Sequence, residues 1–154
     1  MKSLRFMWLV SMVTALFMAQ AASAAQVSKA DAQSLVKKAV ETYKAEGKDK
    51  LIAAVNTPKG SFDKGDDLHV FLYDMKGVLV ANPLKPEQVG QNMYDKPDDE
   101  GKSYRKEIVD NAKSGKSGWV DYKSKNSKTG TLEEKSAYYE PAGDLIVISR
   151  IQKN

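Results

Sequence analysis

The side chains able to do chemistry in this sequence are few, and their types narrow the reactions open to it. There is one His, His69, and no Cys. The chain therefore has no thiol for nucleophilic, redox or metal-binding work, and no His or carboxylate spacing resembles a metal site. No G-x-S-x-G turn presents a nucleophilic Ser. Carboxylates are plentiful, yet no pair stands out for acid–base catalysis. The triplet Asp98-Asp99-Glu100 lacks the D-x-D-x-D-G spacing and distal Glu of a calcium loop, so it is expected to be a solvated acidic turn. What recurs instead is a mixture of Tyr, Trp and Lys inside strand-like runs: residues 68–74 (LHVFLYD), 118–123 (GWVDYK) and 135–139 (KSAYY). That mixture suits recognition rather than turnover. Each ring has a competing reading as ordinary core, and each Lys as ordinary surface.

The elements that must hold these residues follow from periodicity. Alternation puts Leu68, Val70 and Leu72 on one face of a strand and His69, Phe71 and Tyr73 on the other. The first set suits packing under a helix, and the second suits a pocket wall. Asp74-Met75-Lys76-Gly77 predicts a hairpin turn into residues 78–81. In the second aromatic run Trp119, Asp121 and Lys123 alternate with Val120 and Tyr122, and in the third Lys135, Ala137 and Tyr139 alternate with Ser136 and Tyr138. Residues 145–151 (LIVISRI) are almost wholly apolar, as a central strand should be. Five strands are thus expected in one antiparallel sheet.

Helices complete the α+β pattern. Ser28 with Asp31 predicts a capping-box start, and Leu35, Val36, Ala39, Val40 and Tyr43 recur at helical spacing up to a stop at Gly47. The periodicity is too short for a sustained heptad repeat, so the helix is expected to pack on the sheet rather than to form a coiled-coil dimer. Residues 50–55 predict a second short helix, ended before Pro58. Residues 84–103 form a long irregular segment in which Val89, Met93 and Tyr94 are expected to bury themselves as a cover over the sheet. Residues 104–112 predict a short helix buried through Ile108, Val109 and Ala112.

The start of the chain reads as an address. Residues 1–24 carry Lys2 and Arg5, then an apolar run from Phe6 to Met18, then the small-residue cleavage site Ala22-Ser23-Ala24. The run is shorter than the roughly 20 residues that span a bilayer. The expectation is a signal peptide over residues 1–24, cleaved, with one domain over residues 25–154, periplasmic or secreted and not membrane-spanning; the alternative is an uncleaved anchor. The formal charge of +4 becomes +2 without Lys2 and Arg5, 22 basic side chains against 20 acidic ones. No basic cluster stands out, so nucleic acid is not an expected partner.

Taken in order, F-L-Y-D-M-K-G-V-L-V-A-N-P, V-G-Q-N-M, G-K-S-Y-R-K-E-I-V, G-W-V-D-Y and K-S-A-Y resemble the single Cache domain of bacterial extracytoplasmic sensors, over about residues 28–151. The resemblance implies a PAS-like Cache fold, with a long N-terminal helix on one face of a curved five-stranded antiparallel sheet. It implies a small-ligand pocket on the other face, often for a short-chain carboxylate, with no cofactor, no metal and no catalysis. On that reading Lys135 is the first candidate for the anchoring cation, since charge-assisted hydrogen bonds are the stronger ones. Tyr73, Tyr104 and Tyr138 offer hydroxyls, and Trp119 offers an apolar wall with one N–H donor. Lys106 stands where the family commonly carries Arg. Asn82 stands where it commonly carries His, so a smaller or differently bonded ligand is implied. The partner is a small organic anion; the rival reading is a docking protein for a membrane receptor or transporter.

Overall fold

The computed structural model describes residues 26–65 and 67–153, so the export signal read over residues 1–24 lies outside the described residues. Helix α1 spans Lys29–Glu46. Ser28 caps it reciprocally: its Oγ accepts from the Asp31 amide at 3.2 Å, and the Asp31 carboxylate accepts from the Ser28 amide at 2.8 Å. Two otherwise orphaned amides are thereby satisfied. Gly47, at φ 89°, ends α1 and admits α2 directly, over Lys48–Val55, two residues earlier than periodicity predicts.

The five strands are β1 (Val70–Asp74), β2 (Leu79–Ala81), β3 (Gly118–Lys125), β4 (Leu132–Ala142) and β5 (Leu145–Gln152). They form one antiparallel sheet in the order β2-β1-β5-β4-β3, so the apolar last strand is central. The β1–β2 turn closes on the Asp74 carboxylate, which accepts from the Lys76 and Val78 amides at 2.8 and 2.9 Å. Gly77 sits there at φ 83°, and a Cβ on it would meet the Tyr94 Cβ at 2.8 Å. Only glycine fits both constraints.

Helix α1 lies across β4 and β5, and α3 (Tyr104–Lys113) covers β3 and β4 from the opposite side. The sheet therefore has two cores. Under α1 and α2 the packing is mainly aliphatic: Leu35, Val36, Leu51, Leu72 and Val147 are all buried. Under α3 it is mixed, with Tyr73, Tyr104, Tyr122 and Tyr139 among Ile108, Ile146 and Ile148.

Two expectations for the irregular segment are corrected. Met93 is buried and Tyr94 half-buried, but Val89 is 40% exposed. The segment approaches the edge of β2 through its backbone: the Leu79 amide donates to the Gln91 carbonyl, the Gly90 amide to the Leu79 carbonyl and the Met93 amide to the Gly77 carbonyl, at 2.8–2.9 Å. Val89 follows the 3-10 turn Pro86–Gln88 and turns outward. The acidic turn is also more than solvated charge. Asp98 accepts from the Lys123 amide at 2.8 Å, and Asp99 from the Lys125 amide at 2.6 Å. β3 is an edge strand with unpaired amides, and these carboxylates cover them.

Candidate functional site

The register of the sheet decides which polar side chains meet. On the α3 side Lys135 of β4 lies between Tyr122 of β3 and Gln152 of β5, and Ala137 faces Arg150. Lys135 and Arg150 are therefore diagonal neighbours on one face, with Tyr122 beside them. Burial would pull the Arg150 guanidinium down, but the surrounding phenols, led by the charge interaction with Tyr122 and then a hydrogen bond to it, outweigh that and raise it. Among the described residues no carboxylate pairs with Arg150. Lys135, whose side chain is 16% exposed, is held below the ordinary lysine value first by burial and then by the charge of Arg150; Lys85 adds to this, and Glu133 opposes it. Glu133 stands 3.8 Å from the ammonium and also accepts from the Asn126 amide nitrogen at 2.8 Å.

These groups open into a cleft of about 390 Å³ at the β3–β4 hairpin end of the sheet. Arg150 and Lys135 line its wall, Lys85 approaches from the segment after β2, and Ser124 and Asn126 contribute from the hairpin. A second cleft, of about 460 Å³, lies along β3, but ion pairs already answer its charges. Lys153 meets Asp121 at 2.8 Å, and Lys123 meets Glu100 at 2.9 Å. No group of three or more His, Cys, Asp or Glu among the described residues is placed to hold a metal ion, and none of their helices is long and apolar enough to cross a membrane.

Of the six residues singled out from sequence, only Lys135 lines the polar cleft. Tyr73 and Tyr104 share its face but are core, at 3% and 6% exposure. The Tyr104 ring stacks on Tyr122 with centroids 4.0 Å apart and planes within 4°. Burial pushes both Tyr73 and Tyr104 hydroxyls up, so they stay protonated. The middle of the expected hollow is thus filled by the protein's own rings. Tyr138 and Trp119 face α1 instead, with ring centroids 5.1 Å apart, and the sheet separates them from Lys135. The Tyr138 hydroxyl donates to Glu140 at 2.6 Å, and Lys29 sits 4.9 Å over the Trp119 ring. Strand alternation already divides Lys135 from Tyr138, so one pocket cannot hold both.

Lys106 points outward on α3, bonded to Asp110 at 2.8 Å and to the Tyr94 hydroxyl. The inward cation is its neighbour Arg105, whose guanidinium donates to the Lys96 and Pro97 carbonyls at 2.8 and 3.0 Å and lies 4.4 Å from the Tyr104 ring. Sequence reasoning missed both Arg105 and Arg150. The signal for Arg150 was present: a cation inside an otherwise apolar central strand needs a reason to be there.

No curated protein matches the sequence. A methyl-accepting chemotaxis protein from Vibrio parahaemolyticus superposes with TM-score 0.65 at 19% identity, over 80% of this chain and 87% of that one. A periplasmic sensor domain of a chemotaxis protein gives 0.61 at 18% identity, over 79% and 88%. A Cache chemosensory domain whose structure explains carboxylic acid recognition gives 0.59 at 16% identity, over 79% and 86%. Each has the same arrangement of sheet and helices. Residues 5–145 match the family described as Single Cache domain 2, a match that begins within residues 1–24, the stretch read as an export signal. With its PAS-like five-stranded sheet between α1 and α3, this chain belongs to the single Cache domain 2 family.

Proposed function

We propose that this protein is an extracytoplasmic sensory domain that binds a small organic anion, such as a short-chain carboxylate, without transforming it. The observation that carries the reading is Arg150: a guanidinium on a central strand, opening into a cleft, with phenols but no carboxylate as its described partners. Such a charge is costly to hold unless something anionic answers it. Arg150 supplies the anchor, Lys135 a second charge, and Ser124 and Asn126 neutral hydrogen bonds. The family's sensory role and the recognition of carboxylic acid by one structural relative support the same reading.

The test is a thermal-shift and calorimetric screen of small carboxylates. A ligand that binds the folded state raises the melting temperature by mass action. Arg150→Met should abolish the response and Lys135→Ala should weaken it. A flat response to every acid would favour docking on a membrane receptor or transporter instead. Consumption of the bound acid would mark an enzyme. We further propose that residues 1–24 are removed on export, so the mature protein recovered from the periplasm should begin at Ala25 by mass spectrometry.

A further inference from the structure

The cleft's charge and polarity say more about its guest than that it is an anion. Among the described residues that line it, five are basic and two, Asp67 and Glu133, are acidic. The positive charge is not gathered at one point. Arg150 faces Ala137 across the β4–β5 ladder, while Lys135 faces Gln152. Diagonal neighbours of this kind stand about 7–8 Å apart at the backbone. Lys85 reaches the cleft from the far side, out of the segment after β2. A single carboxylate seated on Arg150 would leave Lys135 and Lys85 facing each other, with Glu133 at 3.8 Å as the nearby counter-charge to Lys135.

The lining is also unsuited to a hydrocarbon tail. Its apolar members are Leu84 and Ile151, whereas Ser124, Asn126, Ser127 and Gln152 present hydroxyls and amides. The aromatic layer that could have wrapped an aliphatic chain is already closed, since Tyr104 is stacked face to face on Tyr122. Apolar surface gains from burial only against other apolar surface, and this cleft offers little of it.

We propose that the guest is a short dicarboxylate with a polar body, one carboxylate held by Arg150 and the other by Lys135 and Lys85. This rests on the anion-binding reading above and narrows it. The hairpin residues Ser124 and Asn126 hydrogen-bond the body between the two charged ends. Each carboxylate then has its own cation, and no like-charged pair is left facing across the cleft.

Calorimetry with four probes tests it: malate, propionate, succinamide and sulfate. Malate should bind at least about tenfold more tightly than propionate, because it makes a second set of charge-assisted bonds. Lys135→Gln and Lys85→Gln should each bring malate to within about threefold of propionate, because malate loses the cation of its second carboxylate and so loses more affinity than propionate does. Neither lysine belongs to a hydrophobic core: Lys85 is exposed, and Lys135 is half-buried in the cleft wall. If propionate matches malate, or the two lysine variants leave malate unchanged, the dicarboxylate assignment is overturned and anion binding stands. Succinamide or sulfate binding as tightly as malate also overturns it. If no acid binds at all, the assignment and the anion-binding reading fall together.

Discussion

On the side of α1 the central strands present Leu72, Leu145 and Val147, all fully buried against residues such as Val36 and Ala39. On the side of α3 the same strands present Tyr73, Ile146, Ile148 and Arg150. One set of backbones thus carries two different chemistries, because strand side chains alternate. The α1 side removes apolar area from water and asks nothing more of it. The α3 side keeps phenols and cations in a half-dry layer where electrostatic contacts are stronger than in water. On the proposed anion-binding reading, stability and recognition fall on opposite faces, and substitutions on each should separate them.

The largest effect is expected from Leu72→Ala. The side chain is fully buried, and deleting it leaves a cavity costing about 2–5 kcal/mol. Urea denaturation should show that loss, while calorimetry shows an unchanged carboxylate affinity. A parallel loss of affinity would mean that the two faces are coupled. Arg150→Met is the opposite experiment. Carboxylate affinity should fall by about 2 kcal/mol or more. Stability should hold or rise, since an apolar side chain replaces a guanidinium that lacks a described carboxylate partner. A large drop in melting temperature would show that Arg150 is structural.

The two faces were not equally legible in the sequence. Leu35, Val36, Ala39 and Val40 announce their side of α1 by spacing alone, and Leu72 and Val70 do so by alternation. An apolar pattern is read directly because burial is its only requirement. The polar face was harder. Tyr104 and Lys106 are two positions apart on one helix turn, yet one is core and the other is surface. Tyr138 has the composition of a pocket residue but the parity of the α1 face. Residue type names a capability, while parity and register decide where it is used. Arg150 looked like a blemish in an apolar strand because its partners, Tyr122 and Lys135, come from β3 and β4 and meet it only through the ladder. The staples Asp98 and Asp99 were hidden for the same reason, since nothing local shows that their targets are amides some 25 residues later.

A smaller and pH-dependent effect sharpens the contrast. Burial, then Arg150, holds Lys135 below the ordinary lysine value of 10.5. The folded state therefore releases this proton more readily than the unfolded chain does. The penalty for keeping the ammonium in the fold is fully present below the lowered value and is relieved as pH rises through it towards 10.5. Binding runs the other way, because a carboxylate needs the ammonium. Affinity should decline as pH rises through the lowered value, before an ordinary lysine would titrate, and proton uptake on binding should be measurable there. Lys135→Gln should flatten both profiles. Val36, Leu72 and Val147 on the α1 face carry no titrating group, so these aliphatic residues contribute no such dependence.

The smallest effect belongs to the edge between the two faces. Burial alone would raise the Asp98 carboxyl, but the amides of Lys123, Lys102 and Glu100 outweigh it and hold the group below 3.8. A carboxyl lowered by folding contributes stability above its unfolded value, and that contribution is lost as pH falls through the folded one. Asp98→Asn leaves one oxygen where two accept, and with that oxygen kept by the Glu100 and Lys102 amides a donor faces the Lys123 amide. The cost should be about 1 kcal/mol at neutral pH, and it should shrink as acid protonates Asp98 in the parent. Hydrogen exchange gives the sharper readout. The Lys123 and Lys125 amides should lose protection in Asp98→Asn, and because Ser124 and Asn126 line the cleft, its hairpin wall should loosen with them. Unchanged protection at Lys123 would return Asp98 to the solvated acidic turn that its sequence alone describes, and would leave the hairpin wall to be held by the β3–β4 ladder.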